Sequence, residues 1–168
     1  MFYGNAEDFQ NYLLDRGFDI PVTWDDDKIN SALLVSSEWL DNHYENFWIG
    51  YKVDFHQERS WPRQSAMVAT YPSYTYGTDE IPLQVIQATY ELARRELAEQ
   101  GSLSVDYRPS AYSNVSIYNA VTVGYNPSIT GAGDLQLQIP IVQDLMTLLI
   151  DPEKGSGSGG MSGKAVRV

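Results

Sequence analysis

Trp61-Pro62-Arg63, then Tyr71-Pro72-Ser73-Tyr74-Thr75-Tyr76, then Asp79-Glu80-Ile81-Pro82 leading into Leu83–Ala93: this stretch, Trp61 to Ala93, decides the fold. Its second half reads as a helix start. Proline suits the first helical position, because its φ is preset and its missing N–H would have no partner there. Asp79 and Glu80 place negative charge beside the helix N-terminus, where the macrodipole favours it. Its first half combines a large apolar ring, a rigid φ and a forked cation, a set suited to anchoring a loop. Trp61 is expected to pack inside the subunit. Arg63 is expected to brace the loop, with Asp79 or Glu80 as partner, and the Tyr71–Tyr76 tip is expected to face a neighbour.

Helices flank this stretch on both sides. Asn5 to Arg16 reads as a short helix capped by Asn5, with Ala6, Phe9 and Leu13 on one face and Gly17 as its stop. Thr23 to Phe47 reads as a long helix with Thr23 as cap and Asp25-Asp26-Asp27 in its first turn. Ile29, Ala32, Leu33, Ser36, Leu40, Tyr44 and Phe47 recur along it at helical spacing. Pro82 to Gln100 is the second long helix, about 28 Å at the standard rise, with Val85, Ile86, Tyr90, Ala93 and Leu97 as its apolar stripe. Arg94 and Arg95 could contact nucleic acid, but Glu91, Glu96 and Glu99 beside them favour ion pairs within the helix. Between the long helices, residues 48–80 read as one long aromatic-rich connection, and such loops are usually functional.

Beyond Gly101 the period changes. Val115, Ile117, Val121, Val123 and Tyr125 alternate as in strands, turning at Asn119-Ala120 to give a hairpin at about 113–126. Leu135, Leu137 and Ile139 suggest a third short strand. Pro140 to Ile150 reads as a short closing helix. Residues 155–163 are Gly/Ser-rich, a flexible linker by composition, and the chain ends in the basic, β-prone Lys164-Ala165-Val166-Arg167-Val168. The expected fold is therefore mainly α: a small bundle of two long and two short helices with a β-hairpin (domain 1–152) and an extended C-terminal arm (153–168).

The 168 residues suit one domain, and there is no cysteine to form a disulfide or a thiolate zinc site. No apolar run reaches the roughly 20 residues needed to span a bilayer, and the first residues lack the basic flank and apolar core of a signal peptide. Net charge is −11, and residues 152–168 carry +2, which leaves −13 on residues 1–151. Such acidity opposes phosphate contact. The two histidines, His43 and His56, have no second ligand at metal spacing. There is no phosphate-cradling glycine loop and no nucleophile elbow, so no enzyme, cofactor or metal is expected.

Taken in order, Tyr3-Gly4, Arg16-Gly17, Ala32-Leu33-Leu34, Trp39-Leu40-Asp41, Gly50, Gln57, Trp61-Pro62-Arg63, Asp79-Glu80-Ile81-Pro82, Glu91-Leu92-Ala93 and the hairpin resemble the head–tail connector (neck adaptor) proteins of tailed bacteriophages. Those sequences often carry the label DnaT-like single-stranded-DNA-binding. The resemblance implies a structural virion protein at the portal vertex, made in the host bacterial cytoplasm. It implies a ring of commonly twelve copies that binds the portal protein and a downstream neck or tail-completion protein. Packaged double-stranded DNA would pass through without specific binding. Carried onto this chain, it makes Trp61, Pro62 and Arg63 the loop anchor, Ile81 and Pro82 the helix start, and Lys164, Val166, Arg167 and Val168 the docking tail. Tyr71, Tyr74 and Tyr76 join them as interface candidates. The alternative is a replication-type single-stranded-DNA binder, which needs a basic groove with stacking aromatics.

Overall fold

The computed structural model describes residues 1–68, 70, 73–104, 112–117, 121–125 and 139–151. It is mainly helical with small sheets. Its helices are α1 (Ala6–Asp15), α2 (Asp26–Tyr44), α3 (Leu83–Ala98) and α4 (Pro140–Met146). Helix α3 is the axis of the fold: α2 packs along one side of it and α4 against another. Its buried positions therefore run most of the way round, from Val85, Ala88 and Leu92 to Tyr90, Ala93 and Glu91.

Two apolar clusters divide the interior. Phe9 and Leu13 of α1 meet Ile29, Ala32 and Leu33 of α2 and Tyr90 and Ala93 of α3. The larger cluster joins Leu40 and Tyr44 of α2, Trp48, Trp61, Val85 and Leu92, and Met146 and Leu149 from the closing segment. That segment is tied in by backbone bonds from Ile49 N to the Leu149 carbonyl and from Asp151 N to the Phe47 carbonyl.

The expected cap of α1 is present, with the Asn5 side chain accepting from Asp8 N at 2.8 Å. That of α2 moves two residues on. Asp25, not Thr23, accepts from Lys28 N, and within Thr-Trp-Asp-Asp-Asp several side chains can cap equally well. Pro82 lies at the N-cap of α3 rather than in its first turn. Its carbonyl accepts from Val85 N, so it still sets the helix start.

The connection after α2 is not structureless. It contains four two-residue strands in two antiparallel pairs: β1 (Tyr51–Lys52) with β2 (Arg63–Gln64), and β3 (Met67–Val68) with β4 (Tyr74–Thr75). Gly50 stands where chains cross. Its φ is +66°, and a Cβ there would lie 2.5 Å from the Gln64 carbonyl oxygen. The predicted hairpin is present as β5 (Tyr112–Ile117) and β6 (Val121–Tyr125), with Ile117 opposite Val121. Residues 135–138 of the expected third strand and the C-terminal arm lie outside the described residues. Ile139 is buried and caps α4.

Candidate nucleic-acid interface

The sequence candidates turn inward more than outward. Trp61 is buried, its ring edge-on to Trp48 and Tyr76 at 5.8 and 5.6 Å. Its backbone N–H donates to the Tyr3 hydroxyl, which in turn donates to Asp41 at 2.6 Å. Burial, and then the Asp41 charge, push the Tyr3 hydroxyl well above the usual range for tyrosine. Arg63 is buried too, but it does not reach Asp79 or Glu80. Its guanidinium donates to the carbonyls of Ile49, Ser60 and Gly50 at 2.8, 3.2 and 2.9 Å. A fork with five donors is well matched to three orphan carbonyls at a chain crossing.

Glu80 instead accepts from Gly77 N and from the Tyr74 hydroxyl, closing a turn before α3. Pro62 is half-buried and Pro82 buried, and Ile81 packs against the larger cluster. Tyr76 is half-buried against Trp61, while Tyr74 stays exposed. Tyr71, Lys164, Val166, Arg167 and Val168 lie outside the described residues.

The face with ligand chemistry lies elsewhere, around one buried carboxylate. Glu91 projects from α3 and is 2% exposed. Its Oε1 accepts from Arg16 at 2.9 Å and from the Tyr12 hydroxyl at 3.2 Å. Its Oε2 accepts from Arg95 at 3.4 Å and Arg94 at 3.5 Å, and Arg95 also donates to the Glu91 carbonyl at 2.9 Å. Three guanidiniums against one carboxylate leave a local charge of +2. Each arginine keeps between a quarter and two-fifths of its side chain exposed.

Two rings complete the face. Arg16 lies over Tyr12 at 4.1 Å and Arg94 over Phe18 at 4.6 Å. Cation–π contact keeps a guanidinium flat on a ring with its donors turned outward. Burial and then the Glu91 charge raise the Tyr12 hydroxyl to about 12, so it remains a donor.

Local folding explains the placement. Gly17 has φ +75°. Past it the chain reverses: Gly17 N donates to the Leu14 carbonyl and Phe18 N to the Leu13 carbonyl. This double bond pattern at a helix end needs a left-handed residue, and it swings Phe18 back beneath Arg94. On α3, the spacing of Glu91 to Arg94 and Arg95 brings all three together as expected. Glu96 has a different task. It is buried and accepts from Gly101 N, Leu103 N and Ser102 Oγ, so it caps the following loop rather than countering the arginines.

Arg94 and Arg95 also line a cleft of about 410 Å³ beside the start of α4, together with Ala98, Glu99, Ser102, Leu103, Ile139 and Pro140. A second cleft, about 500 Å³, lies between the first half of α2 and the end of α3. Trp24 lines it, but Asp27 and Glu96 outweigh Lys28 there, which suits phosphate poorly. Among the described residues no group of acidic or histidine side chains could hold a metal ion, and no helix is long and apolar enough to cross a membrane.

Residues 3–168 match the model of the family described as "Putative DnaT-like ssDNA binding protein". The chain belongs to this DnaT-like family. No curated protein and no solved structure matches it.

Membership in the DnaT-like family overturns the connector expectation. With it go the portal and neck or tail-completion proteins as partners, the ring of twelve copies and the head–tail joint. The residues that carried the resemblance show why it misled. Trp61 and Arg63 are spent inside the subunit, and Glu80 and Pro82 on a turn and a helix start. Those four report how the chain folds, whereas Arg16 and Glu91, which carried the resemblance with them, meet at the arginine face. Sequence reasoning singled out Arg94 and Arg95 but set them aside, and it missed Arg16, which lies 75 positions from Glu91.

Proposed function

We propose that the chain binds single-stranded DNA through the face formed by Arg16, Arg94 and Arg95, with Phe18 and Tyr12 as its rings. Single-strand binders combine cations that track the backbone with aromatic surfaces that accept bases of any sequence. The observation that carries the reading is the convergence of three guanidiniums on Glu91, which leaves +2 on a chain whose net charge is −11. Seven of the eleven cations, Arg16, Lys28, Lys52, Arg59, Arg63, Arg94 and Arg95, are among the described residues. Arg59 and Arg63 are buried, and Lys28 and Lys52 pair singly with Asp25 and Glu45. Only the Glu91 group brings cations together in excess there. Family membership supports the same class of ligand.

Fluorescence anisotropy with a labelled oligo-dT at low salt tests this. Binding is expected, and changing Arg94 and Arg95 together to Gln should weaken it about tenfold or more, since charge-assisted bonds are the strong ones. Tyr74→Ala should leave it unchanged. Tyr74 sits at the opposite end of α3, about 20 Å away by the helical rise. An unchanged affinity in the double variant would overturn the site.

A further inference from the structure

We propose that the Arg16–Arg94–Arg95 face prefers a strand end bearing a terminal phosphate over the interior of a strand, an inference that rests on the single-stranded-DNA reading above. The first ground is charge. The cluster carries three positive charges and one negative, a surplus of two. An internal phosphodiester brings a single negative charge. A terminal phosphomonoester brings about −1.5 to −2 at neutral pH, and three acceptor oxygens. The monoester therefore neutralises the surplus and offers one oxygen to each guanidinium.

The second ground is the state of Arg94. Its bond to Glu91 is 3.5 Å long, at the limit for a hydrogen bond, and its Nε is buried with no acceptor among the described residues. A buried donor without a partner is costly. Arg94 is thus held loosely by Glu91 and firmly only by the ring of Phe18, and re-aiming toward an incoming phosphate supplies the missing acceptor. Arg16, at 2.9 Å from Glu91, and Arg95, bonded at 2.9 Å to the Glu91 carbonyl, stay fixed as the two sides of the cradle.

The third ground is the extent of the site. Among the described residues no other cations gather in excess, and Glu99 lines the cleft beside Arg94 and Arg95. A continuing backbone would run past a carboxylate, whereas a terminating one would not.

The test uses the full chain and four ligands: a 12-nucleotide oligo-dT with a 5′-phosphate, the same with a 3′-phosphate, the same with hydroxyls at both ends, and circular single-stranded DNA. One phosphorylated end is expected to bind about tenfold tighter than the hydroxyl-ended strand, and the pair of arms shows which end. Millimolar inorganic phosphate should compete for that increment. Arg94→Gln, at a partly exposed position, should abolish the difference between ends, and Arg16→Gln serves as the second variant. Equal affinity for all four ligands would overturn the end preference and leave single-stranded-DNA binding standing. Failure to bind any of them would overturn both.

Discussion

Asp41 shows how far one side chain can depend on its surroundings. It is buried at the junction of α2, the N-terminal residues and the Trp61 loop. It accepts from the Tyr3 hydroxyl and lies 3.5 Å from the Arg59 guanidinium. Burial raises its carboxyl above the ordinary range, outweighing the hydrogen bonds from Tyr3 and Ser60 and the Arg59 charge. The folded chain therefore holds this proton more tightly than the unfolded chain. Between the unfolded and folded pKa values the folded state carries more protons, so stability from this group is full below that window and falls as pH rises through it. Asp41→Asn keeps an acceptor for Tyr3 and removes the titration. In thermal unfolding, the melting temperature of the variant should gain on that of the parent as pH rises above the ordinary aspartate value of about 3.9. A gain as pH falls would contradict the assignment. The side chain's type is plain from the sequence; its burial is not, because Asp41 carries no mark that separates it from Glu38 one turn earlier, which is exposed.

At the scale of elements, helix ends do most of the positioning. The stop of α1 at Gly17 was legible in sequence, as were the Asn5 cap, the apolar stripes of α1 and α2, and Val85, Tyr90 and Ala93 of α3, though not its buried Ala88 and Leu92. What the stop accomplishes was not legible: it turns Phe18 under Arg94. Gly17→Ala meets no steric neighbour, so its cost comes only from the left-handed backbone, about 1–2 kcal/mol. Chemical denaturation should show that loss. Anisotropy should show weaker oligo-dT binding by the folded variant, because Phe18 loses its seat. Full affinity would mean that the ring takes no part.

The connection between the long helices went the other way. Its strands are two residues long, too short for alternation to be seen, so a chain crossing knitted by Arg63 and Gly50 read as one long connection.

For the whole molecule, the balance of charge decides what binding can look like. Net charge of −11 repels a polyanion at long range, and salt screens that repulsion as it screens attraction. Only three cations face the ligand at the Glu91 cluster. For single strands each neutralised phosphate contributes about −0.7 to the slope of log K against log salt, so the slope should be shallow, about −2. A titration from 50 to 300 mM salt checks this. A slope of about −5 or steeper would require a longer basic track than the Glu91 face supplies.

Sequence alone determined the helical character of the chain, the Asn5 cap and Gly17 stop of α1, part of the faces that bury, the hairpin and the absence of cysteine chemistry. These depend on neighbours within a turn or a strand, and periodicity records such neighbours directly. Tertiary structure alone decided which charges meet across the chain, beyond the pairs within one helix. Arg63 went to three carbonyls instead of Asp79 or Glu80, Glu96 turned to cap a loop, and Arg16 crossed 75 positions to join Arg94 and Arg95 at Glu91. An ion pair or a cradle for phosphate is a relation of distance in space. The spacing of Arg94 and Arg95 was written along one helix, but the third guanidinium and the two rings came to it only when α1 packed against α3.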